Sequence, residues 1–272
     1  MTLPFVKMEG IGNDFVVLDG IGTPLPILDW AATSRLLNDR RRGVGGDGIL
    51  LAERGTNAPF RMRMFNPDGS EAEMCGNGIR CLALFLRDAG YLTDDVADVE
   101  TGAGRLSLHL SEAGVRVDLG VAELRPAQIP VRAEGETFIS QPVGEGLFGT
   151  AVSMGNPHLV IFTDNVAAVD LEHVGPRLET DPLFPARINV HFVQVLSRTE
   201  LRMRTWERGA GITLACGTGA CAVGVAAFLN GLAERESLVH LPGGDLRIDY
   251  QESGRVYMTG PARTVFAGEI EL

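Results

Sequence analysis

Two cysteines stand in nearly identical surroundings, Cys75-Gly76-Asn77-Gly78 and Cys216-Gly217-Thr218-Gly219, 141 residues apart. Each opens a stretch whose apolar content predicts a buried helix, 77–89 and 219–232. A cysteine at a helix start faces unpaired N–H groups and the positive end of the helix dipole. That setting favours thiolate and lowers a thiol pKa to roughly 3.5–7.5, so both thiols are expected to be acidic. Cys81 and Cys221 fall inside the helices among Leu82, Ala83, Ala222 and Val223, and read as inert buried thiols. A matched pair of acidic thiols suits stereoinversion at a carbon bearing a proton: one group removes the proton from one face while the other delivers a proton to the opposite face. One must be thiolate while the other is thiol, so their titrations are coupled. The neighbouring glycines let backbone N–H groups approach a carboxylate and stabilise the charge of a carbanion.

The repetition extends beyond the cysteines. Arg61-Met62-Arg63-Met64-Phe65 returns as Arg202-Met203-Arg204-Thr205-Trp206, also at offset 141. Gly12-Asn13 returns as Gly155-Asn156 at offset 143, each followed by an apolar run. Gly104, Leu106, Leu108, Glu112, Gly114 and Gly120 fall on Gly244, Leu246, Ile248, Glu252, Gly254 and Gly260 at offset 140. Four matches in chain order indicate a duplicated unit of about 140 residues. Two similar halves are expected to face each other across a cleft, one thiol on each wall.

The elements that must position the thiols are mostly strands. Short alternating or apolar runs bounded by turn residues predict strands at 16–18, 60–65, 106–110, 115–119, 159–162, 190–196, 201–206, 246–250, 256–258 and 266–272. Helices are expected at 31–39 as well as 77–89 and 219–232, and each half reads as strands wrapped around one buried helix. The Pro- and Gly-containing segment 120–142 is the expected crossing. The halves are therefore 1–119 with 264–272, carrying Cys75, and 120–263, carrying Cys216.

Composition narrows the chemistry. The chain has 272 residues with 45% hydrophobic and 22% charged, the profile of a folded globular protein. A formal charge of −11 repels phosphate backbones and anionic lipid headgroups, so no nucleic acid or membrane partner is expected. Lys7 is the sole lysine, which disfavours Schiff-base chemistry such as that of pyridoxal phosphate. No charge lies between Arg208 and Glu234, a stretch long enough to span a bilayer, but its six glycines favour a turn followed by a buried helix. The start of the chain shows no signal or transit peptide, which predicts a cytoplasmic protein. The four cysteines lack the two-residue spacing of zinc motifs, and the five histidines form no His-x₃₋₅-His pair, so no metal is expected.

Read together, Gly12-Asn13-Asp14-Phe15, Gly43-Val44-Gly45-Gly46-Asp47-Gly48, Asn66-Pro67-Asp68-Gly69-Ser70 with Met74-Cys75-Gly76-Asn77-Gly78, Gly155-Asn156-Pro157-His158, and Glu207-Arg208-Gly209-Ala210-Gly211 with Ala215-Cys216-Gly217-Thr218-Gly219 resemble the diaminopimelate epimerase family over essentially the whole chain. The resemblance implies a cofactor-independent homodimer of two similar α/β halves, each a β-barrel-like sheet around a central helix. Its reaction would interconvert LL- and meso-diaminopimelate in lysine and cell-wall precursor biosynthesis. Position by position, it implies that Cys75 and Cys216 are the acid/base pair. Asn13, Asn66, Asn156 and Asn189 would be substrate amide contacts, and Gly76 with Asn77 and Gly217 with Thr218 the backbone cradle of the reacting carboxylate. Glu207 with Arg208 would contact the substrate's charged groups, and His158 would lie near the catalytic site. This chain departs from the pattern at Glu9, where many members have histidine; at Gly48, where some have a substrate-contacting glutamine; and at Ile212, where an acidic residue is common.

On the residues alone, Asn13 and Asn156 also fit turn positions beside glycine, Glu207 and Arg208 fit an ion pair, and His158 fits a core histidine. A racemase of another amino acid, of the histidine or proline type, is the alternative on the same fold. A binding or redox-sensing protein with a reversible Cys75–Cys216 disulfide is the alternative from another class.

Overall fold

The structure, a computed structural model, describes residues 2–26 and 29–272. The chain divides into two compact units, Met1–Val117 with Thr259–Leu272, and Asp118–Met258.

In the first unit, Arg263–Glu271 runs antiparallel to Thr2–Gly10, which runs antiparallel to Asn13–Asp19. Asn13–Asp19 then pairs in parallel with Gly48–Arg54, and parallel neighbours need a crossover. The helix α1 (Trp30–Asn38) supplies it, its start capped by the Asp29 side chain accepting from the Ala32 N–H. Gly48–Arg54 is antiparallel to Phe60–Phe65, which pairs in parallel with Val96–Thr101, itself antiparallel to Gly104–Ser111. The second helix, α2 (Gly76–Asp88), lies against Thr2–Gly10, Asn13–Asp19, Gly48–Arg54 and Gly104–Ser111, with Ile79, Leu82, Ala83 and Leu86 buried.

The second unit repeats this pairing. Phe148–Ser153 is antiparallel to Pro157–Phe162, which is parallel to Asn189–Ser197, which is antiparallel to Glu200–Glu207. Glu200–Glu207 pairs in parallel with Glu236–Leu241, and that strand is antiparallel to Gly244–Tyr250. The crossover helix is α3 (Leu171–Glu179), and the central helix is α4 (Gly217–Leu229). Ten of the 13 residues of α4 are buried, because it is apolar on every side and the strands cover it. The fold is thus a mixed α/β arrangement of two similar halves, each with strands around a central helix. Among the described residues no helix is long and apolar enough to cross a membrane, and the uncharged run before Glu234 is accounted for largely by α4.

Three differences from the sequence reading have physical causes. The helix α3 was not expected because Gly175-Pro176 reads as a breaker. In the fold Gly175 lets the helix approach Trp206, where an added Cβ would lie 2.6 Å from the indole. The strand Thr2–Gly10 escaped because its alternation fails at a register shift between Lys7 and Met8, where both side chains turn inward. The segment read as a crossing contributes Ile129, Val131 and Phe138 to the core of the second unit, although it holds little regular structure.

Candidate functional site

Around Cys75 the chain builds a polar network that runs outward. Cys75 is the N-cap of α2, with extended backbone, and its sulfur accepts from the Gly78 N–H at 3.4 Å. Its thiol donates to Asn13 Oδ1 at 3.7 Å, and Asn77 Nδ2 donates to the same oxygen at 3.1 Å. Asn13 is fixed from behind: its Nδ2 donates to Asp47 Oδ2 at 2.7 Å, an oxygen that also accepts from the Asp14 N–H at 3.1 Å. Arg40 then bridges Asp47 at 2.8 Å and Asp14 at 2.7 Å, and Lys7 meets Asp14 at 2.7 Å. Burial alone would push the Asp14 carboxyl up, but the hydrogen bonds from Arg40 and Lys7 outweigh it and bring the pKa down to about 2. The carboxylate of Asp47 thus orients the Asn13 amide with its oxygen toward Cys75.

Around Cys216 the polar groups are buried instead. Cys216 is the N-cap of α4 and is 5% exposed, with Thr218 Oγ1 4.0 Å from its sulfur. Glu207 hydrogen-bonds to Cys216 and accepts from Thr213 Oγ1 at 2.5 Å. Desolvation, then the Glu207 charge, push the Cys216 thiol well above its usual range, outweighing the favourable hydrogen bonds from Gly219 and Thr218. The expectation of an acidic thiol is therefore corrected at Cys216: loss of water and a neighbouring carboxylate win over the helix start. Glu207 is pushed up as well, by desolvation, with the Thr213 and Cys216 hydrogen bonds opposing.

Beside Cys216 three strands contribute a line of hydrogen bonds. His158 pairs with Asn189 across the parallel ladder, which sets His191, two residues on, on the same face. Thr205 lies directly opposite His191 in the antiparallel pair. His158 Nε2 lies 2.9 Å from Asn156 Oδ1, His158 Nδ1 lies 2.9 Å from His191 Nε2, and His191 Nδ1 lies 3.0 Å from Thr205 Oγ1. An amide oxygen accepts only, so His158 carries its proton on Nε2. His158 Nδ1 then accepts from His191 Nε2, and Thr205 donates to His191 Nδ1. Burial keeps both rings neutral: it drives His158 well down, helped by His191 and Arg208, and His191 down to about 3. Close contact with α4 is essential here, because a Cβ on Gly219 would sit 2.4 Å from His191 Cε1 and 3.0 Å from the Cys216 sulfur.

The remaining expected residues fall as follows. Asn66 ends the strand Phe60–Phe65 and donates to Ser70 Oγ at 3.0 Å, outside the Cys75–Asn13–Asn77 set. Asn189 is buried, donating to Pro157 O at 2.8 Å and accepting from the Arg208 N–H at 3.0 Å, so its amide ties two loops together. Arg208 is exposed and donates to Ala186 O at 3.0 Å; among the described residues no ion pair joins it to Glu207. At both helix starts the first N–H with an intrahelical backbone acceptor is the fourth, Ile79 to Cys75 O and Ala220 to Cys216 O, at 2.9 Å each. Gly76, Asn77, Gly217 and Thr218 therefore present the N–H groups that suit an anion. At the departures, Glu9 accepts from the Gly12 N–H at 2.8 Å and pairs with Arg263. Gly48 allows no side chain without movement, since a Cβ would lie 2.9 Å from Phe65 O, and Ile212 is exposed.

Sequence reasoning missed Asp47, Arg40, His191 and Thr205. Asp47 stood in a quoted glycine-rich motif without a role. Only strand register brings His191 to His158, 33 residues away.

The family model described as diaminopimelate epimerase matches residues 5–125 and 150–265. The diaminopimelate epimerase of Desulfitobacterium hafniense is 50% identical, covering 98% of this chain and 97% of the relative. That of Acetivibrio thermocellus is 48% identical, covering 98% of each. The crystal structure of a Bacillus anthracis phenazine biosynthesis protein of the PhzF family shares the fold, with a TM-score of 0.71 at 18% identity and 100% coverage of both chains. Since the family model spans both units and these relatives match nearly end to end, the chain belongs to the diaminopimelate epimerase family.

Proposed function

We propose that this chain interconverts LL- and meso-diaminopimelate by two-base proton transfer at the α-carbon, with Cys75 and Cys216 as the two bases and no cofactor. Membership of the family makes the chain a diaminopimelate epimerase, an isomerase of lysine biosynthesis. The assignment of the two bases rests on one observation: each unit sets a cysteine at the N-cap of its central helix, where the first-turn N–H groups have no helical acceptor. Those groups would hold the reacting carboxylate and stabilise the charge delocalised into it when the α-proton leaves.

The environments divide the roles. Burial and Glu207 keep Cys216 protonated, which readies it as the proton donor; to act as the acceptor Cys75 must first lose the thiol proton it directs at Asn13. For the opposite direction Cys216 must first lose its proton, and the hydrogen-bonded Glu207 carboxylate is the group placed to take it. Asn13 and Asn156, each fixed by a neighbour, would bind polar groups of the substrate, and Arg208 its charged groups. The reading also includes a homodimer in the cytoplasm, which light scattering and cell fractionation test.

The deciding experiment incubates reduced, chelator-treated, pyridoxal-free protein with LL-diaminopimelate in D2O. Meso product carrying deuterium at the α-carbon is expected, and both Cys75→Ala and Cys216→Ala should abolish it. An absence of turnover and exchange from reduced protein would sink the substrate assignment, and proline and histidine would be assayed next.

A further inference from the structure

We propose that His158, His191 and Cys216 form a binding site for one zinc-class divalent cation per chain, which caps the Cys216 sulfur. The two imidazole nitrogens and the sulfur lie within 4.8 Å of one another, all on buried residues. A tetrahedral zinc ion, with nitrogen near 2.0 Å and sulfur near 2.3 Å, needs its ligands roughly 3.3–3.8 Å apart. His158 Nδ1 and His191 Nε2, now 2.9 Å apart and aimed at each other, would separate by a few tenths of an ångström as each ring turns to bring its lone pair onto the ion.

The far sides of the rings supply a second observation. Histidine ligands of metals are held by a hydrogen bond on the nitrogen that does not bind. His158 Nε2 has Asn156 Oδ1 at 2.9 Å, and His191 Nδ1 has Thr205 Oγ1 at 3.0 Å, so both rings already have that partner. Metal entry requires one tautomer change: the His191 proton moves from Nε2 to Nδ1, and the Thr205 hydroxyl turns from donor to acceptor. A metal–sulfur bond forms as the Cys216 S–H bond breaks, the proton leaves to the buffer, and no electrons change hands. Two imidazoles and a thiolate select Zn²⁺ or Co²⁺ over Mg²⁺ or Ca²⁺. The fourth position falls to water or to Glu207, already hydrogen-bonded to Cys216. Only Cys216 of the three retains solvent contact, 5% against 0% for either histidine, so the ion enters from the sulfur side.

Among the described residues the first unit has no equivalent. Its corresponding positions, read from the matching strand register, are Phe15, Leu50 and Cys75. The stoichiometry is therefore one ion per chain.

The test titrates Co²⁺ alone into the full chain, reduced with a phosphine and freed of metal by chelator. We expect saturation at one equivalent, tetrahedral d–d bands, a thiolate-to-cobalt charge-transfer band, and displacement by one equivalent of Zn²⁺. Cys75→Ser should keep the charge-transfer band, Cys216→Ser should lose it, and His191→Asn should weaken binding at least tenfold. A wild-type chain without tetrahedral bands, a band surviving in Cys216→Ser, or one lost in Cys75→Ser overturns the site. Circular dichroism checks that His191→Asn folds; if it does not, the two serine variants decide alone. The inhibitory consequence, loss of deuterium exchange at one equivalent of Zn²⁺ with recovery on chelation, rests on the function proposed above. The cobalt spectrum does not, so the two readings fail separately.

Discussion

Phe15, Leu50 and Met64 in the first unit occupy the same three register positions as His158, His191 and Thr205 in the second. All six side chains are buried, or nearly so. One set is apolar and the other is a hydrogen-bonded line satisfied at every nitrogen. A duplicated scaffold has therefore kept its backbone and reversed the polarity under the cysteine helix. The two asparagines near the thiols are held accordingly: Asn13 by the partly exposed Asp47 carboxylate, itself bridged by Arg40, and Asn156 by a buried neutral imidazole. Charged groups near water can stay ionised, whereas a charge buried beside Cys216 would be costly. Each unit thus uses the chemistry its solvent access permits.

The largest contrast is expected at the matched glycines. In Gly219→Ala the new methyl meets the rigid His191 ring, whereas in Gly78→Ala it meets Leu50 Cδ2 at 3.1 Å, the end of a flexible side chain. Gly219→Ala should lower epimerisation about 100-fold by displacing the helix start, while Gly78→Ala should lower it far less. Equal losses in a turnover assay would remove the distinction between the two units.

Stability probes the polarity reversal directly. His191→Leu strands the buried His158 Nδ1 and should cost about 1–3 kcal/mol. Replacing the whole line with the first unit's residues, His158→Phe with His191→Leu and Thr205→Met, should recover part of that loss, since removing both partners of a buried hydrogen bond costs less than removing one. Urea unfolding measures both; a triple variant no better than the single one breaks the equivalence.

On the other side, Asp47→Asn removes the charge that orients Asn13. A charge-assisted hydrogen bond contributes about 1.5–3 kcal/mol, which corresponds to a fall in kcat/KM of roughly 10- to 100-fold. An unchanged kcat/KM would show that Asn13 needs no such support. Iodoacetamide should meanwhile alkylate the partly exposed Cys75 before Cys216, which is buried and held protonated, and peptide mass spectrometry reads the order. The smallest effect belongs to Asp14. Its carboxyl is depressed from 3.8 to about 2, so its stabilisation is complete above about pH 4 and drains away as the pH falls toward 2. Asp14→Asn should flatten that part of the stability profile, measured by urea midpoints between pH 5 and 2.5.

Much of this was legible in the amino-acid sequence because duplication is a long-range signal carried by local words. The cysteine motifs place both helix starts within two residues of Gly76 and Gly217. The same 141-residue offset, applied to α1, lands on Leu171–Glu179 and would have found α3 despite Gly175-Pro176. What stayed hidden depends on three-dimensional pairing. No spacing rule links His158, His191 and Cys216, whose proximity comes from parallel register and the start of α4. Nor could the sequence say that Cys216 loses its water, which decides its protonation more strongly than its place at a helix end.

Lys7 has a consequence of another kind. The chain's sole ε-amino group is locked against Asp14, its side chain 7% accessible. Acylating reagents and amine cross-linkers should leave this position untouched in the native state and modify it when the strand Thr2–Gly10 comes away. Read at its own peptide, apart from acylation of the α-amino group, Lys7 thereby serves as a built-in chemical clock for unfolding with no engineered label.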